Sequence, residues 1–343
     1  MNKYFLDLEP EDIEKEILAL GENRFRANQL IEWVYKKRIE SFAECSNLPA
    51  LLRNKLDKIF FLRSLKLKDK KESTTDGTAR YGFLTSDKLN VYTVFLPKRD
   101  RNSICLSVQI GCPIKCKFCF SGKVKFRRNL TRGEIIEQIM QIEKEKGVKI
   151  NSVLLMGMGE PLLNYENVTG AIRSLIDFKQ IGISRKHVTI STVGLVPQIR
   201  KLADELLGIR LAISLHAPTD SIRKSFISEK VPYSVKEILK AGLYFSRKNN
   251  SHLTIEYLLI SGINDTPNNA KELFQLIEKS AKPKDQIQVN LIPYNDTKGE
   301  GMIVPQKEAI LRFKNYLIKN NILAMIRESR GADIGSACGQ LGI

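Results

Sequence analysis

From residue 103 onward, short apolar runs alternate with longer stretches whose apolar residues recur every three or four positions. The runs Ile104–Ile110, Ser152–Met156, Val188–Ser191, Leu211–Leu215, Leu253–Ile260 and Ile287–Ile292 predict buried strands. Helical spacing between and after them predicts Gly133–Lys146, Glu166–Phe178, Pro197–Leu207, Val235–Arg247, Asn269–Glu278 and Glu308–Lys319. Thr131-Arg-Gly-Glu134 reads as a capping box that opens the first of these helices. Strand–helix units in series predict an α/β fold in which a parallel sheet carries crossover helices. Six of them make a partial, TIM-like (β/α)6 barrel, short of the eight of a closed one. Ligands of such sheets bind beyond the C-terminal ends of the strands.

The segment ahead of the barrel has a different pattern. Residues 1–75 predict three short helices: one after Leu6, one through Ala27–Arg38, and one after Leu48-Pro49 carrying Leu51, Leu52, Leu56, Ile59 and Phe60. Arg24, Arg26, Lys36, Lys37 and Arg38 give this unit a basic side. That side suits phosphate contacts, which position a nucleic acid without reading it, or equally a solvated face with no ligand. Trp33 fits a core anchor better than a base-stacking platform. Residues 76–102 alternate as a β extension or linker, 103–300 form the barrel, and 301–343 form a C-terminal helix and a glycine-rich, mobile loop.

Composition narrows the class. With 43% hydrophobic and 27% charged residues, the chain is expected to be globular, without a membrane span or a signal peptide, and cytoplasmic. Thiols stay reduced there, so six cysteines point to metal or redox chemistry rather than a disulfide framework. A net charge of +17 implies a polyanionic partner, nucleic acid by default, although a lysine-rich proteome would also produce it.

The chemistry concentrates just after predicted strands. Cys112-Pro-Ile-Lys-Cys116-Lys-Phe-Cys119 clusters three thiols in a C-x₃-C-x₂-C pattern without a fourth ligand. Cubane iron–sulfur clusters usually take four cysteines, so three leave one iron open to a small molecule. Structural zinc wants four closed ligands, and neither a second C-x₂-C nor an H-x₃-H accompanies this motif; the only histidines are His187, His216 and His252. Next comes Met156-Gly-Met-Gly-Glu-Pro161, whose glycines admit close backbone approach and whose Glu160 offers a carboxylate at a strand tip.

Further stretches complete the pattern: Cys119-Phe-Ser-Gly, Arg128-Asn-Leu-Thr131, Ile190-Ser-Thr-Val-Gly194, Ser214-Leu-His216-Ala-Pro218, Asn290-Leu-Ile-Pro-Tyr-Asn295 and the tail from Arg330 to Leu341. Together they resemble the RlmN/Cfr family of radical S-adenosylmethionine (SAM) methyltransferases, over nearly the whole chain. The resemblance implies a radical SAM barrel with a [4Fe–4S] cluster on Cys112, Cys116 and Cys119. It implies S-adenosylmethionine held by Gly159, Glu160, Ser191, Ser214, Leu215, His216 and Asn295. Cys338 would carry the transferred methyl group, and Cys105 would release the product by forming a disulfide with it. The implied substrate is an adenosine of 23S rRNA, with tRNA added in the RlmN branch. A flavodoxin- or ferredoxin-type electron donor and a disulfide reductant are the implied partners of a monomer. Cys45 matches none of these roles.

Two positions depart from the family pattern. Tyr92 stands where many relatives carry a glutamate proposed to take a proton from the RNA adduct, and tyrosine is a poor base at neutral pH. Lys125 stands where relatives often have glycine. Gly159-Glu-Pro-Leu-Leu-Asn164 matches the branch that methylates carbon 2 rather than carbon 8. Carbon-8 methylation is the enzymatic alternative, and a non-catalytic RNA-binding protein with a structural metal is the alternative from another class.

Overall fold

The computed structural model describes residues 3–297 and 301–342. Ten strands form one sheet in strict chain order. They are β1 (Leu65–Glu72), β2 (Ala79–Thr85), β3 (Asn90–Lys98), β4 (Arg101–Cys105), β5 (Ser152–Leu155), β6 (Val188–Thr192), β7 (Arg210–Ser214), β8 (Leu253–Leu259), β9 (Ile287–Pro293) and β10 (Leu323–Ile326). From β4 to β10 every pairing is parallel, whereas β1 to β4 pair antiparallel. The barrel is therefore open and carries a β meander on one flank. Among the described residues, no helix is long and apolar enough to cross a membrane.

The two faces of the parallel strands differ in chemistry. Ile213 and Leu253 point outward, so tightly against the helix Val235–Lys248 that a Cβ on Gly242 would lie 2.1 Å from Ile213 Cδ1. Tyr257 meets Phe313 of the helix Lys307–Lys319 on that side, ring centroids 5.1 Å apart. The alternate residues form a polar inner row. Ser191 and Ser214 Oγ lie 3.3 Å apart, and Asn290 Nδ2 donates to Glu256 at 2.9 Å. Period-two alternation thus gives a dry outer layer and a hydrogen-bonding interior.

Several expectations need correction. The predicted strand Ile104–Ile110 breaks after Cys105, because Gln109–Ile110 leaves the sheet to pair with Arg128–Asn129. A seventh parallel strand, β10, escapes the pattern because Leu323 and Met325 are exposed at the sheet edge. The helix Asp220–Phe226 is likewise unforeseen. Strand β1 falls inside the stretch expected to be helical. Its Leu-Lys-Leu-Lys-Asp-Lys-Lys-Glu sequence buries only Leu65, and such a lysine-rich edge discourages further pairing.

The N-terminal helices Pro10–Ala19, Phe25–Tyr35 and Ala50–Ile59 share one core with the barrel. Arg38 is not on their basic face: its partly buried side chain is held in an ion pair with Glu143. Trp33 is a half-buried rim residue, its Nε1 donating to Asn47 (2.6 Å) and its ring covered by Lys37 Nζ at 3.5 Å. Cys45 is buried, and that burial pushes its thiol up to about 11, so it is inert at neutral pH.

Arg132, at the first turn of the helix Arg132–Lys146, fastens the N-terminal unit to the barrel. Its buried guanidinium donates to the carbonyls of Leu6 (2.6 Å) and Leu8 and to the side chains of Ser174 and Gln180. Asp7 accepts from Gly133 N at 2.7 Å, and the Tyr4 hydroxyl donates to Glu137. Arg132→Ala would strand several buried acceptors at once and is expected to cost about 3 kcal/mol. Urea denaturation checks this: an unchanged midpoint contradicts the assignment.

Candidate active site

The three-cysteine loop is built to stay open and rigid. At Gly111 φ is +73°, and a Cβ there would lie 2.5 Å from the Lys125 carbonyl oxygen. Lys117 N donates to Phe226 O (3.0 Å), and the Phe118 ring stands edge-on to His216, centroids 5.0 Å apart. Cys119 N donates to Cys116 O at 3.1 Å, and Cys119 caps the helical turn Phe120–Lys123. Burial pushes the Cys112 thiol up to about 12. It raises Cys116 too, with the charges of Cys119 and Cys112 as the next causes. The thiols therefore share one low-dielectric site that favours a metal in place of their protons. Among the described residues, no three His, Cys, Asp or Glu side chains converge on a single ion. A cubane suits such a site better, since its ligands bind at separate corners.

Glu160 gives the second element. Gly157 lets the end of β5 approach the end of β4, since a Cβ there would meet Leu106 O at 2.6 Å. Gly159 has φ +102°, and its missing side chain makes room for Gln109. Glu160 is buried, and one carboxylate oxygen accepts from Leu162 N (3.0 Å), the other from Val193 N (2.8 Å). Burial raises its pKa, and no Lys or Arg pairs with it among the described residues. The Thr192 side chain donates as well, so three of about four acceptor sites are used and one remains, which an ammonium group fits.

The remaining candidates fall into two sets. Ser191 and Ser214 meet on the inner face of the barrel, as described. Leu215 N bonds to backbone carbonyls of Ile213 and Glu256. His216 has φ +59° and accepts from Leu258 N through Nδ1 at 3.0 Å, while its own carbonyl accepts from Asn264 Nδ2 at 2.7 Å. Its ring is thus a neutral wedge under Phe118. Asn295, just past β9, is engaged with the tail rather than with the serine row. Its Nδ2 donates to Cys338 O (3.1 Å), and its Oδ1 accepts from Ser329 (2.6 Å).

Cys338 is brought over the barrel by fastenings on every side. Phe120 N donates to Gly339 O (2.7 Å), Ser121 Oγ to Leu341 O (2.9 Å), and Gln340 Nε2 to Asp296 O (3.0 Å). Gly331 N donates to Asp76 (2.9 Å) and Arg330 to the Asp76 carbonyl (2.7 Å). The tail expected to be mobile is docked here. Solvent reaches Cys338, yet burial raises its thiol, followed by the negative charge of Glu256. Burial also pushes Cys105, at the tip of β4, up to about 12, and the next cause is the charge of Cys338. The two thiols share one electrostatic environment although they come from distant parts of the chain.

Two functional candidates escape the sequence pattern. Arg223 is buried. It donates to the carbonyls of Leu215 (3.1 Å), Ser214 (3.4 Å) and Val193, tying the tips of β6 and β7 together, and its charge reaches Cys116. No hydrophobic period marks a buried arginine. Glu256 had a signal, a carboxylate inside the apolar strand Leu-Thr-Ile-Glu-Tyr.

His216 makes a pH prediction. Burial, then the charge of Arg223, lowers its pKa to about 3. The unfolded chain, with a histidine pKa near 6.5, therefore binds the proton first as pH falls from about 6.5 toward 3. Stability drops across that window by up to about 1.4 kcal/mol per pH unit. His216→Gln should flatten this acid slope in urea titrations, and an identical slope in the variant contradicts the neutral wedge.

Comparison with known proteins gives the family. The profile of the Radical SAM superfamily matches residues 106–277, and that of the ribosomal RNA large subunit methyltransferase N-terminal domain matches residues 4–62. A probable dual-specificity RNA methyltransferase RlmN of Endomicrobium trichonymphae is 47% identical over 99% of this chain and 97% of its own length. A protein of the same description from Thermotoga maritima is 44% identical, again over 99% and 97%. The crystal structure of a radical SAM methyltransferase from Sphaerobacter thermophilus superimposes with a TM-score of 0.91 at 35% identity, covering 98% of each chain. With a [4Fe–4S] cluster and S-adenosylmethionine as its cofactors, this chain belongs to the RlmN family of radical SAM RNA methyltransferases.

Proposed function

We propose that the chain methylates carbon 2 of an adenosine in 23S rRNA, and of one in tRNA, through a methyl group carried on Cys338. The observation that carries this reading is the docking of the Cys338 tail beside the three-cysteine loop, through Phe120 N to Gly339 O (2.7 Å), with its Leu341 in the same apolar cluster as Cys105. A methyltransferase that passed the methyl directly from donor to substrate would need neither thiol. The relatives' description as dual-specificity RNA enzymes supports two RNA substrates. Gly159-Glu-Pro-Leu-Leu-Asn164 supports carbon 2.

In this reading Cys112, Cys116 and Cys119 hold the cluster, and Glu160 holds the amino group of S-adenosylmethionine. Gly159, Ser191, Ser214, Leu215, His216 and Asn295 complete that site. The cluster, once reduced by a flavodoxin- or ferredoxin-type donor, supplies the electron that makes S-adenosylmethionine a radical source. Cys338 loses its thiol proton and takes a methyl group from a first S-adenosylmethionine by displacement. Its S-methyl carbon then gives up one hydrogen atom to the radical from a second S-adenosylmethionine and bonds to the adenine ring. After that adduct has lost an electron and the ring proton, the Cys105 thiolate attacks the Cys338 sulfur. The carbon–sulfur bond breaks, the released carbon takes a proton to become methyl, and a Cys105–Cys338 disulfide remains for a cellular reductant. The basic N-terminal helices contact RNA phosphates.

Cys338→Ala is expected to abolish RNA methylation, whereas Cys105→Ala accumulates a covalent protein–RNA adduct visible on denaturing gels. Mass spectrometry of the nucleosides from wild-type turnover should give 2-methyladenosine. A product bearing only 8-methyladenosine overturns the choice of carbon, and turnover by Cys338→Ala overturns the carrier role.

A further inference from the structure

Against the apolar cluster that includes Cys105 lies a cavity of about 330 Å³ whose walls include Asn90, Tyr92, Val124, Lys125, Arg127 and Met158. The volume lies at the lower end of small-molecule sites, roughly 300–1,000 Å³. Tyr92 and Lys125, the two departures from the family pattern, thus face one space. We propose that this cavity takes one nucleotide of the RNA substrate, adjacent to the adenosine being methylated, with its base stacked on Tyr92 and its phosphate held by Lys125 and Arg127. The proposal rests on the reading of the chain as an RNA methyltransferase and adds to it where the strand is gripped.

Register places the cavity next to the chemistry. Val94 pairs with Cys105 across β3 and β4. Tyr92, two residues from Val94, shares its face and lies just past the strand tip that bears Cys105. Tyr92, Val124 and Cys105 pack with Val94, Met158 and Leu341 in one apolar cluster. A nucleotide in the cavity therefore neighbours anything that reaches Cys105. The Tyr92 ring is backed by the Arg80 guanidinium, 5.2 Å from its centroid, which steadies it as a stacking platform.

The charge has no internal use. Lys125 and Arg127 are exposed, and neither joins an ion pair among the described residues. The next residue, Arg128, is by contrast held by Asp87 and Glu134, both at 2.7 Å. The two free cations are nonetheless fixed in place. Arg127 N donates to Ile110 O (2.9 Å), and the side-chain-free Gly111 lets the backbone of Lys125 pack against the cluster loop. Exposed Phe126 between them completes a basic–aromatic–basic sequence suited to a nucleic-acid strand.

The test uses the cluster-loaded enzyme and unmodified 23S rRNA transcript, with affinity measured across a salt series. A Lys125→Ala/Arg127→Ala variant should weaken binding roughly tenfold and reduce the salt slope by about 2. Tyr92→Ala should weaken binding roughly tenfold without changing the slope, and Tyr92→Phe should restore it, because the ring and not the hydroxyl does the stacking. Unchanged affinity and slope in the double variant, or a Tyr92→Phe variant as weak as Tyr92→Ala, overturns the proposal. Binding is read independently of turnover. A wild type that binds with these dependences but makes no methyladenosine would therefore fail the functional reading and not the nucleotide site.

Discussion

The arrangement depends on the docking of the last dozen residues across the mouth of the barrel. Cys338 has no secondary structure of its own to position it. Its backbone is held instead by Asn295 after β9, and the residues flanking it by Phe120 and Ser121 after the cluster loop and by Asp76 from the β meander. Each bond is an ordinary one, worth about 1 kcal/mol. Together they converge from segments far apart in the chain, so the thiol is aimed only when barrel, meander and loop are all folded. The glycines at 331, 335 and 339 take the left-handed conformations that so short a wrapped segment requires.

Burial sets the chemical state of the site. Every thiol in it is pushed toward its neutral form, and so is Glu160. In the proposed reading, binding the cluster would remove that penalty for Cys112, Cys116 and Cys119. It would not do so for Cys105 or for Cys338, which solvent reaches, so in that reading each must lose a proton before it can attack. Glu256, whose charge reaches Cys338 and which burial itself makes more basic, is the buried carboxylate nearest in effect. Its hydrogen bond from Asn290 ties it to the inner row of the barrel and keeps it from turning away.

Much of this was legible in the sequence where local pattern and structure coincide. The six predicted strands have counterparts in the structure because each is an apolar run bounded by turn residues, and Thr131 and Glu134 form the expected capping box. The cysteine spacing and the Gly-Glu-Pro turn marked the strand tips that meet around the mouth of the barrel. What was hidden depends on tertiary context. Strand β1 carries too many lysines to look like a strand, and β10 exposes Leu323 and Met325. Arg38 reads as a surface cation until the fold pairs it with Glu143, and nothing local marks Arg223, which is buried against strand-end carbonyls. The docking of the tail is invisible to any local rule, since its partners are backbone groups from elsewhere in the chain.

The most direct test of the central claim, that Cys338 carries the methyl group, is an isotope chase. The enzyme is first incubated with S-adenosylmethionine bearing a trideuterated methyl group, freed of excess, and then given unlabelled S-adenosylmethionine, RNA and reductant for a single turnover. The account predicts deuterium on the peptide containing Cys338 before RNA is added, and its appearance in the methyladenosine of that first turnover. A first product free of deuterium, formed while the label stays on the protein or never reaches Cys338, would contradict it.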